Sequence, residues 1–299
     1  MPITNQDNIT AAFVRQFHDT FEVACQQQTS RLMQACRDRG AIEGASFTIN
    51  DMGLVEMVDS PTRFGATNLT IPDAGTRLAT MVDANLFVPI EPMDLPKLKA
   101  NPQDSYMKNM IAARNRRWDK AIYRAAVDAI QRKTVDGETY TSTALPGVQK
   151  ILAGGTGFTK AKIIQTRKIF QANNVGVEQG EQLFMLYDSN ILAQVLADTT
   201  LTSADYMAVK MLQDGELSGT WCGFTWIPYE LLDNGAGGAT ERKTVAMTRD
   251  AVHFGRGINW DFSIDKRPDL QNLIQMGARM SVGSGRANEK KVVTIDFEI

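Results

Sequence analysis

The pattern of hydrophobic residues begins with a helical stretch and then changes to an extended one. Residues 10–39 carry apolar side chains at helical spacing, and Gly40 follows them as a stop signal. In residues 45–92 the apolar positions recur roughly every second residue, and turn residues interrupt the runs. This pattern predicts a long β-hairpin or meander. A ribbon of this kind is not stable alone, so we expect it to lie against another surface.

A second helical stretch runs from Asp104 to Lys133 and is predicted to form one continuous helix. Its apolar residues, among them Trp118 and Ile122, recur at three- and four-residue spacing and form one stripe. Pro102 precedes the stretch and Gly137 follows it as a stop. About 30 residues at 1.5 Å each span roughly 45 Å. The sequence therefore predicts a rod with other elements packed along it.

The remainder of the chain mixes short helices and strands without a regular βα alternation. Helices are predicted at 160–173, 190–197, 204–212 and 268–278, and strands at 183–187, within 215–229, and at 244–254, 258–264 and 292–299. Residues 233–238 (DNGAGG) are predicted to form an exposed flexible loop, and residues 283–285 a turn. This order of elements predicts the α+β class.

Composition limits the function classes without selecting one. The 299 residues carry a formal net charge of -2 and are 43% hydrophobic, which suits one large domain or two smaller ones. Bulk charge gives no argument for nucleic acid or a membrane, and no apolar run approaches the roughly 18 residues of a membrane span. The N-terminal residues lack the pattern of a secretory signal. Three cysteines without close spacing argue against a disulfide framework and for a reducing compartment.

Charge is distributed unevenly along the chain. Residues 46–96 contain seven acidic and two basic residues, a net charge of -5, whereas residues 97–133 contain ten basic and three acidic ones, a net charge of +7. An acidic ribbon therefore precedes a basic rod. The two segments are either unrelated solvated faces or surfaces that contact each other, within one chain or between copies.

No group of residues has the spacing of a catalytic, cofactor or metal site. The run Gly154–Gly157 lacks the lysine and hydroxyl residue that end a phosphate-binding loop. His18 and His253 have no nucleophile motif beside them, and Asp261 and Asp265 fit ordinary surface alternation. The basic helix lacks the features of a base-reading element, although a diffuse contact with packaged nucleic acid stays open. The protruding elements instead indicate assembly.

The order of these parts resembles that of the major capsid proteins of tailed bacteriophages, which have the HK97-like fold. The resemblance implies an N-terminal arm at 1–44, an extended β-hairpin (the E-loop) at 45–95, and an A-domain at 181–240. It implies a P-domain made of 96–180 and 241–299, which contains a long spine helix at 103–133. Residues 1–96 contain no lysine, so the E-loop has no nucleophile for the isopeptide crosslink that some members form.

The resemblance also implies a function and a set of contact residues. It implies self-assembly as pentamers and hexamers into an icosahedral shell that encloses phage double-stranded DNA by non-specific contact, assembled in the host cytoplasm. Scaffolding, portal and decoration proteins are further expected partners; no catalytic activity, cofactor, metal or membrane is expected. An encapsulin-like nanocompartment of the same fold and a soluble enzyme with an unrecognised site stay open as alternatives.

The expected contact residues fall into three groups. Contact between the E-loop and a neighbour's spine helix is expected to use Glu56, Asp59, Arg63, Asp73, Arg77, Asp83, Arg114, Arg116, Arg117, Lys120 and Arg124. The tip at the capsomer axis is expected at Leu232, Asp233, Asn234, Gly235 and Gly237, and docking of the arm is expected at Phe13, Phe17 and Phe21.

Overall fold

The computed structural model describes residues 25–59, 67, 69–91, 103–135, 137–176, 180–197, 217 and 220–299. The helices are α1 (Gln103–Val127), α2 (Lys160–Ala172) and α3 (Ser189–Ala197). The strands are β1 (Arg37–Ala41), β2 (Ser46–Met52), β3 (Ala74–Ile90), β4 (Ile130–Lys133), β5 (Thr141–Thr143), β6 (Lys150–Ile151), β7 (Leu183–Tyr187), β8 (Thr220–Trp221), β9 (Phe224–Pro228), β10 (Asp233–Gly235), β11 (Gly238–Thr248), β12 (Val252–Arg267), β13 (Leu273–Arg286) and β14 (Val292–Glu298).

The strands form two mixed sheets. The first has the order β1-β12-β13-β3-β4-β5, with β2 paired to β3, and β1 runs parallel to β12. The second has the order β6-β14-β11-β7-β9-β8, with β10 paired to β11. All five residues of β7 are buried. A short apolar run of this kind is typical of a central strand that is covered on both faces.

The chain divides into two compact units. The larger contains the described residues within 31–81, 119–257 and 283–299, among them the second sheet and an apolar cluster around Phe47, Ile49 and Ala79. The smaller contains the described residues 25–30, 82–91, 103–118 and 258–282. Its own core is built from the four buried residues Ile90, Met110, Met276 and Ala278.

The predicted spine helix at 103–133 is wrong in its last six residues. The helix ends at Val127, and residues Ile130–Lys133 form β4 between β3 and β5. The buried guanidinium of Arg286 donates to the carbonyl oxygens of Ala126 (3.1 Å) and Asp128 (2.7 Å). It thereby satisfies carbonyls that a helix end leaves free, so the chain can leave the helix here.

The predicted helix at 268–278 is also wrong, and so is the predicted turn at 283–285. A 3-10 turn at Pro268–Leu270 leads into β13, which continues through both segments. Gly283 lies within β13. A side chain at this position would come within 2.6 Å of Met81 Sδ and 2.9 Å of a backbone carbonyl of β3, so only glycine fits there. The glycines therefore mark a close approach of two strands rather than a turn.

Several other predictions are confirmed closely. Helices at 160–173 and 190–197 and strands at 183–187 and 292–299 agree with α2, α3, β7 and β14 to within a residue. The predicted strand at 244–254 is two strands, separated by a 3-10 turn at Arg249–Ala251. The first predicted helix is wrong over 25–39, which contains a 3-10 turn at Leu32–Ala35 and the start of β1. Residues 1–24 and 204–212 lie outside the described residues.

Candidate assembly surfaces

The segment that joins β2 to β3 exposes a group of large apolar side chains. Met57 is fully exposed, and Leu54 and Ile71 expose 79% and 88% of their surface. The other members of this group are Met52, Val55, Val58 and Leu69. The carboxylates of Glu56 and Asp59 are exposed within the same segment. Large apolar side chains exposed together in one segment are typical of an interaction surface.

Ion pairs hold the base of this ribbon. Arg77, only 4% exposed, donates from Nε to Asp51 Oδ2 at 2.8 Å and from Nη2 to Glu289 Oε2 at 2.6 Å. Arg132 in β4 donates from Nε to the same Asp51 oxygen at 2.9 Å and from Nη2 to Asp73 at 3.3 Å. Burial opposes the charge on Arg77, but the hydrogen bonds and charges of Glu289 and Asp51 outweigh it and raise its pKa.

These contacts correct the expected role of Arg77. Its guanidinium is buried and paired within the chain, so it does not offer a surface to a neighbour. Asp73 is paired with Arg132, and Asp83 accepts a hydrogen bond from Ser281 Oγ at 2.6 Å. Arg63 lies outside the described residues. Of the expected ribbon residues that the structure describes, Glu56 and Asp59 carry the exposed charges with no ion pair shown.

The basic residues of α1 are used partly within their own chain. The Arg114 guanidinium lies 4.7 Å from the ring centroid of Trp118 and 5.3 Å from that of Trp260, and burial lowers its pKa. Arg116 donates to the Gln26 side chain at 2.6 Å. Arg117 is half-buried.

Farther along α1, the expected contact residues are more exposed. Lys120 and Arg124 point to solvent, and Arg124 donates to Asp233 at 3.2 Å. Among the described residues, no ion pair joins the ribbon carboxylates to Arg114, Arg116, Arg117, Lys120 or Arg124.

The expected flexible tip at 232–238 is instead a fixed hairpin of β10 and β11. Leu232 is 5% exposed, and the backbone amide of Asp233 donates to the hydroxyl of Tyr123 at 3.1 Å. Glu241 accepts from the amide of Gly237 at 2.7 Å, and Asp296 accepts from the amide of Ala236 at 3.2 Å.

Two remaining members of the expected tip are also held in the hairpin. Arg242 donates to the side chain of Asn234 at 3.0 Å. A side chain at Gly235 would come within 2.7 Å of Glu241 Cβ. The flexible-loop interpretation is therefore wrong, while a position at a capsomer axis stays a prediction. The expected docking residues Phe13, Phe17 and Phe21 lie outside the described residues.

Sequence reasoning missed one basic surface, on helix α2. Of its basic residues, Lys160 and Lys168 are exposed and Arg167 is half-buried, and its 13 residues include no acidic one. The signal was visible as a run of basic residues without acidic ones, but a short helix with buried Ile163 and Phe170 resembled an ordinary core helix.

The described residues contain neither a metal-binding cluster nor a membrane-spanning helix. No cluster of three or more histidine, cysteine, aspartate or glutamate side chains there has the geometry to bind a metal. None of the helices found in these ranges combines the length and apolar character needed to cross a membrane.

Comparison with known proteins gives a consistent result. The sequence profile of a family described as "Phage capsid protein" matches residues 9–299. No curated protein sequence matches the chain. Among solved structures, the capsid of cyanophage P-SCSP1u is 15% identical, has a TM-score of 0.69, and aligns over 96% of this chain and 93% of its own.

Two further solved structures are similar to the same degree. The capsid of cyanophage Pam1 is 14% identical with a TM-score of 0.70 and aligns over 97% of both chains. The structure of Mycobacterium phage Che8 is 12% identical with a TM-score of 0.70, over 94% of this chain and 96% of its own. These likenesses confirm the predicted α+β, HK97-like fold.

Proposed function

Because this chain belongs to the phage capsid protein family, which gives it a structural, shell-forming role, we propose how its shell is built. Copies of the chain assemble as pentamers and hexamers into an icosahedral shell around a double-stranded DNA genome. The shell forms in the host cytoplasm and is held by non-covalent contacts. Scaffolding, portal and decoration proteins, where they act, bind to this shell.

The observation that supports this proposal is the apolar surface between β2 and β3. Seven large hydrophobic side chains are exposed there. Full burial of one such side chain contributes about 1.5–3 kcal/mol. Covering the group therefore offers on the order of 10 kcal/mol, which is comparable to the cost of association. Because the free energy gained by one such contact roughly equals the cost of association, a single contact gives weak binding. A closed assembly, in which several neighbours hold every subunit, is therefore favoured.

The docking partner expected for this surface needs revision. Arg114 and Arg116 of α1 are already engaged in their own chain, and Arg124 pairs with Asp233. Of the expected cations on α1, Lys120 is exposed with no ion pair shown among the described residues, so it is the one left most open to Glu56 and Asp59 of a neighbour. Contact between the ribbon and a neighbouring copy stays our proposal, but its counterpart is better sought elsewhere on the larger unit.

The contents of the particle separate this proposal from a nanocompartment of the same fold. The match is to phage capsid proteins, which favours a genome as the content. We expect particles isolated from infected or lysogenic cells to contain nuclease-protected double-stranded DNA. Particles filled with one enzyme and free of protected DNA would contradict the proposal.

A further inference from the structure

An open groove of about 520 Å³ lies beside helix α2 in the larger unit. Its walls are Ile163, Ile164, Arg167, Lys168, Ala172 and Cys222. The groove exists because α2 turns Phe170 inward, with its ring centroid 6.1 Å from that of Phe224, and leaves the opposite face uncovered. Ile164 on that face is 59% exposed. The walls therefore combine apolar side chains with two cations.

Among the described residues, no acidic side chain forms an ion pair with the cations of the groove, Arg167 and Lys168, or with Lys160. Helix α2 itself carries no acidic residue. The Arg167 guanidinium lies against the β8–β9 turn, where a side chain at Gly223 would lie 3.4 Å from its Cζ. Its Nη1 atom is buried and has no hydrogen-bond partner among the described residues, so an arriving group would meet the rest of the guanidinium. A half-buried Arg167 and an exposed Lys168 beside apolar walls suit a carboxylate that arrives next to hydrophobic side chains.

The ribbon offers a segment of this chemistry. Residues 54–59, with the sequence LVEMVD, combine four exposed apolar side chains with the exposed carboxylates of Glu56 and Asp59. No ion pair is shown for either carboxylate. The groove and this segment are therefore complementary in both hydrophobicity and charge.

We propose that residues 54–59 of one copy bind in the α2 groove of a second copy. The inference rests on the proposed shell-forming function and names the counterpart surface that the shell would use. Both surfaces belong to the same compact unit and both are exposed in it, so they do not cover each other within one chain. A contact between two different surfaces repeats from copy to copy and closes into a ring when the rotation allows it.

Nucleic acid phosphate is the other occupant that a basic groove suggests. The apolar walls and the exposed Ile164 favour a protein segment, because phosphates gain nothing from hydrophobic contact. Charge reversal separates the two occupants. It would remove the shell if a protein segment binds in the groove, and only the nucleic acid if phosphate binds there.

The test uses two charge-reversed versions of the full chain. One carries Glu56→Arg and Asp59→Arg, and the other carries Arg167→Glu and Lys168→Glu. We expect each alone to lose at least ten-fold in shell yield, measured by gradient sedimentation and electron microscopy. We expect an equal mixture of the two to recover even-numbered rings, in which the variants alternate and each reversed segment meets a reversed groove on the other copy. A ring of five cannot alternate, so complete shells are not expected from the mixture. Thermal melting of each purified variant checks that it folds.

A version that carries all four substitutions and a control with Glu138→Arg and Lys150→Glu complete the design. Shells from the four-fold variant, together with a mixture that forms no rings of any size, would overturn the proposal, because pairing would then lie within one chain. Normal shells from either reversed variant would overturn it as well. So would intact shells that lack nucleic acid, because the groove would then bind phosphate and not residues 54–59. If folded variants fail in every combination, these residues do not pair with each other. Shell formation by the unmodified chain is measured in parallel and tests the proposed function separately.

Discussion

Asp51 and Arg132 form an ion pair at 2.9 Å, at the base of the acidic ribbon. The same Asp51 oxygen accepts a hydrogen bond from Arg77 at 2.8 Å. One carboxylate therefore ties β2 to β3 and β4. The acidic ribbon does meet the basic stretch that follows it in sequence, and it does so within one chain. This contact sets the point from which the exposed part of the ribbon projects.

We expect Asp51→Asn to weaken the ribbon base. Arg77 would stay buried with only Glu289 to balance it, and a charge left poorly paired in a buried position costs stability. The expected loss is roughly 2–3 kcal/mol in the free energy of unfolding, somewhat less than for a fully buried pair. Urea unfolding measures it, with Asp261→Asn on an exposed position as the control. Equal stability of the two variants would mean that these ion pairs do not hold the base.

His253 makes the free energy of unfolding depend on pH. Its Nδ1 accepts a hydrogen bond from Arg39 at 3.1 Å, and burial, with the charges of Arg39 and Arg37, lowers its pKa to about 4. The unfolded chain binds the proton near pH 6.5 and the folded chain only near pH 4. Stability should therefore fall as the pH falls from 6.5 to 4, by about 3 kcal/mol, and should not change with this group above pH 6.5.

The variant His253→Asn isolates this dependence, because its side-chain oxygen can accept the Arg39 hydrogen bond without titrating. We expect the difference in unfolding free energy between pH 7 and pH 4.5 to be smaller in the variant than in the unmodified chain. An identical pH dependence in both would show that another group is responsible.

Lys162 organises the glycine-rich loop before α2. Its buried ammonium donates to the carbonyl oxygens of Ala153 (3.0 Å), Thr156 (2.9 Å) and Asp296 (3.0 Å). Replacing it with methionine removes the charged donor, while the Ala153 carbonyl keeps the amide and hydroxyl of Thr156 and the Thr156 carbonyl keeps the amide of Glu298. We expect a loss of roughly 1.5–3 kcal/mol, the contribution of a hydrogen bond to a charged group.

Hydrogen exchange locates this effect. We expect faster exchange of residues 153–158 in Lys162→Met, while the exposed neighbour Lys160→Met should exchange as the unmodified chain does. Unchanged protection of the loop in Lys162→Met would argue against this role.

Assembled particles should separate completely into single chains under denaturing conditions. The E-loop expected at 45–95 contains no lysine, so it has no amine for an isopeptide bond to a neighbour. A single band near 33 kDa on a reducing denaturing gel is the expected result. A ladder of covalent multimers would contradict it.

The local sequence pattern predicted those elements whose periodicity matches the way they pack in the fold. The continuous apolar run of β7 and the periodic, apolar faces of α2 and α3 could be read directly. The helix end at Val127 could not be predicted from the local pattern, because β4 depends on pairing with β3, more than 40 residues earlier in the chain. Similarly, Gly283 looked like a turn residue because only the position of β3 explains why a side chain is excluded there.

For the candidate site, the charge pattern left open whether the acidic ribbon and the basic stretch contact each other, within one chain or between copies. Asp51 and Asp73 pair with Arg132 within the chain. The contact expected with Arg114 and Arg116 of a neighbour is a separate one and stays a prediction. Which arginine faces which carboxylate depends on the register between β3 and β4, and no local pattern encodes that register.

Electron microscopy of the purified, unmodified chain under assembly conditions tests the central claim most directly. The account predicts closed shells of uniform size with pentameric and hexameric units. Small discrete oligomers under every condition, with the chain folded as judged by its melting transition, would contradict it.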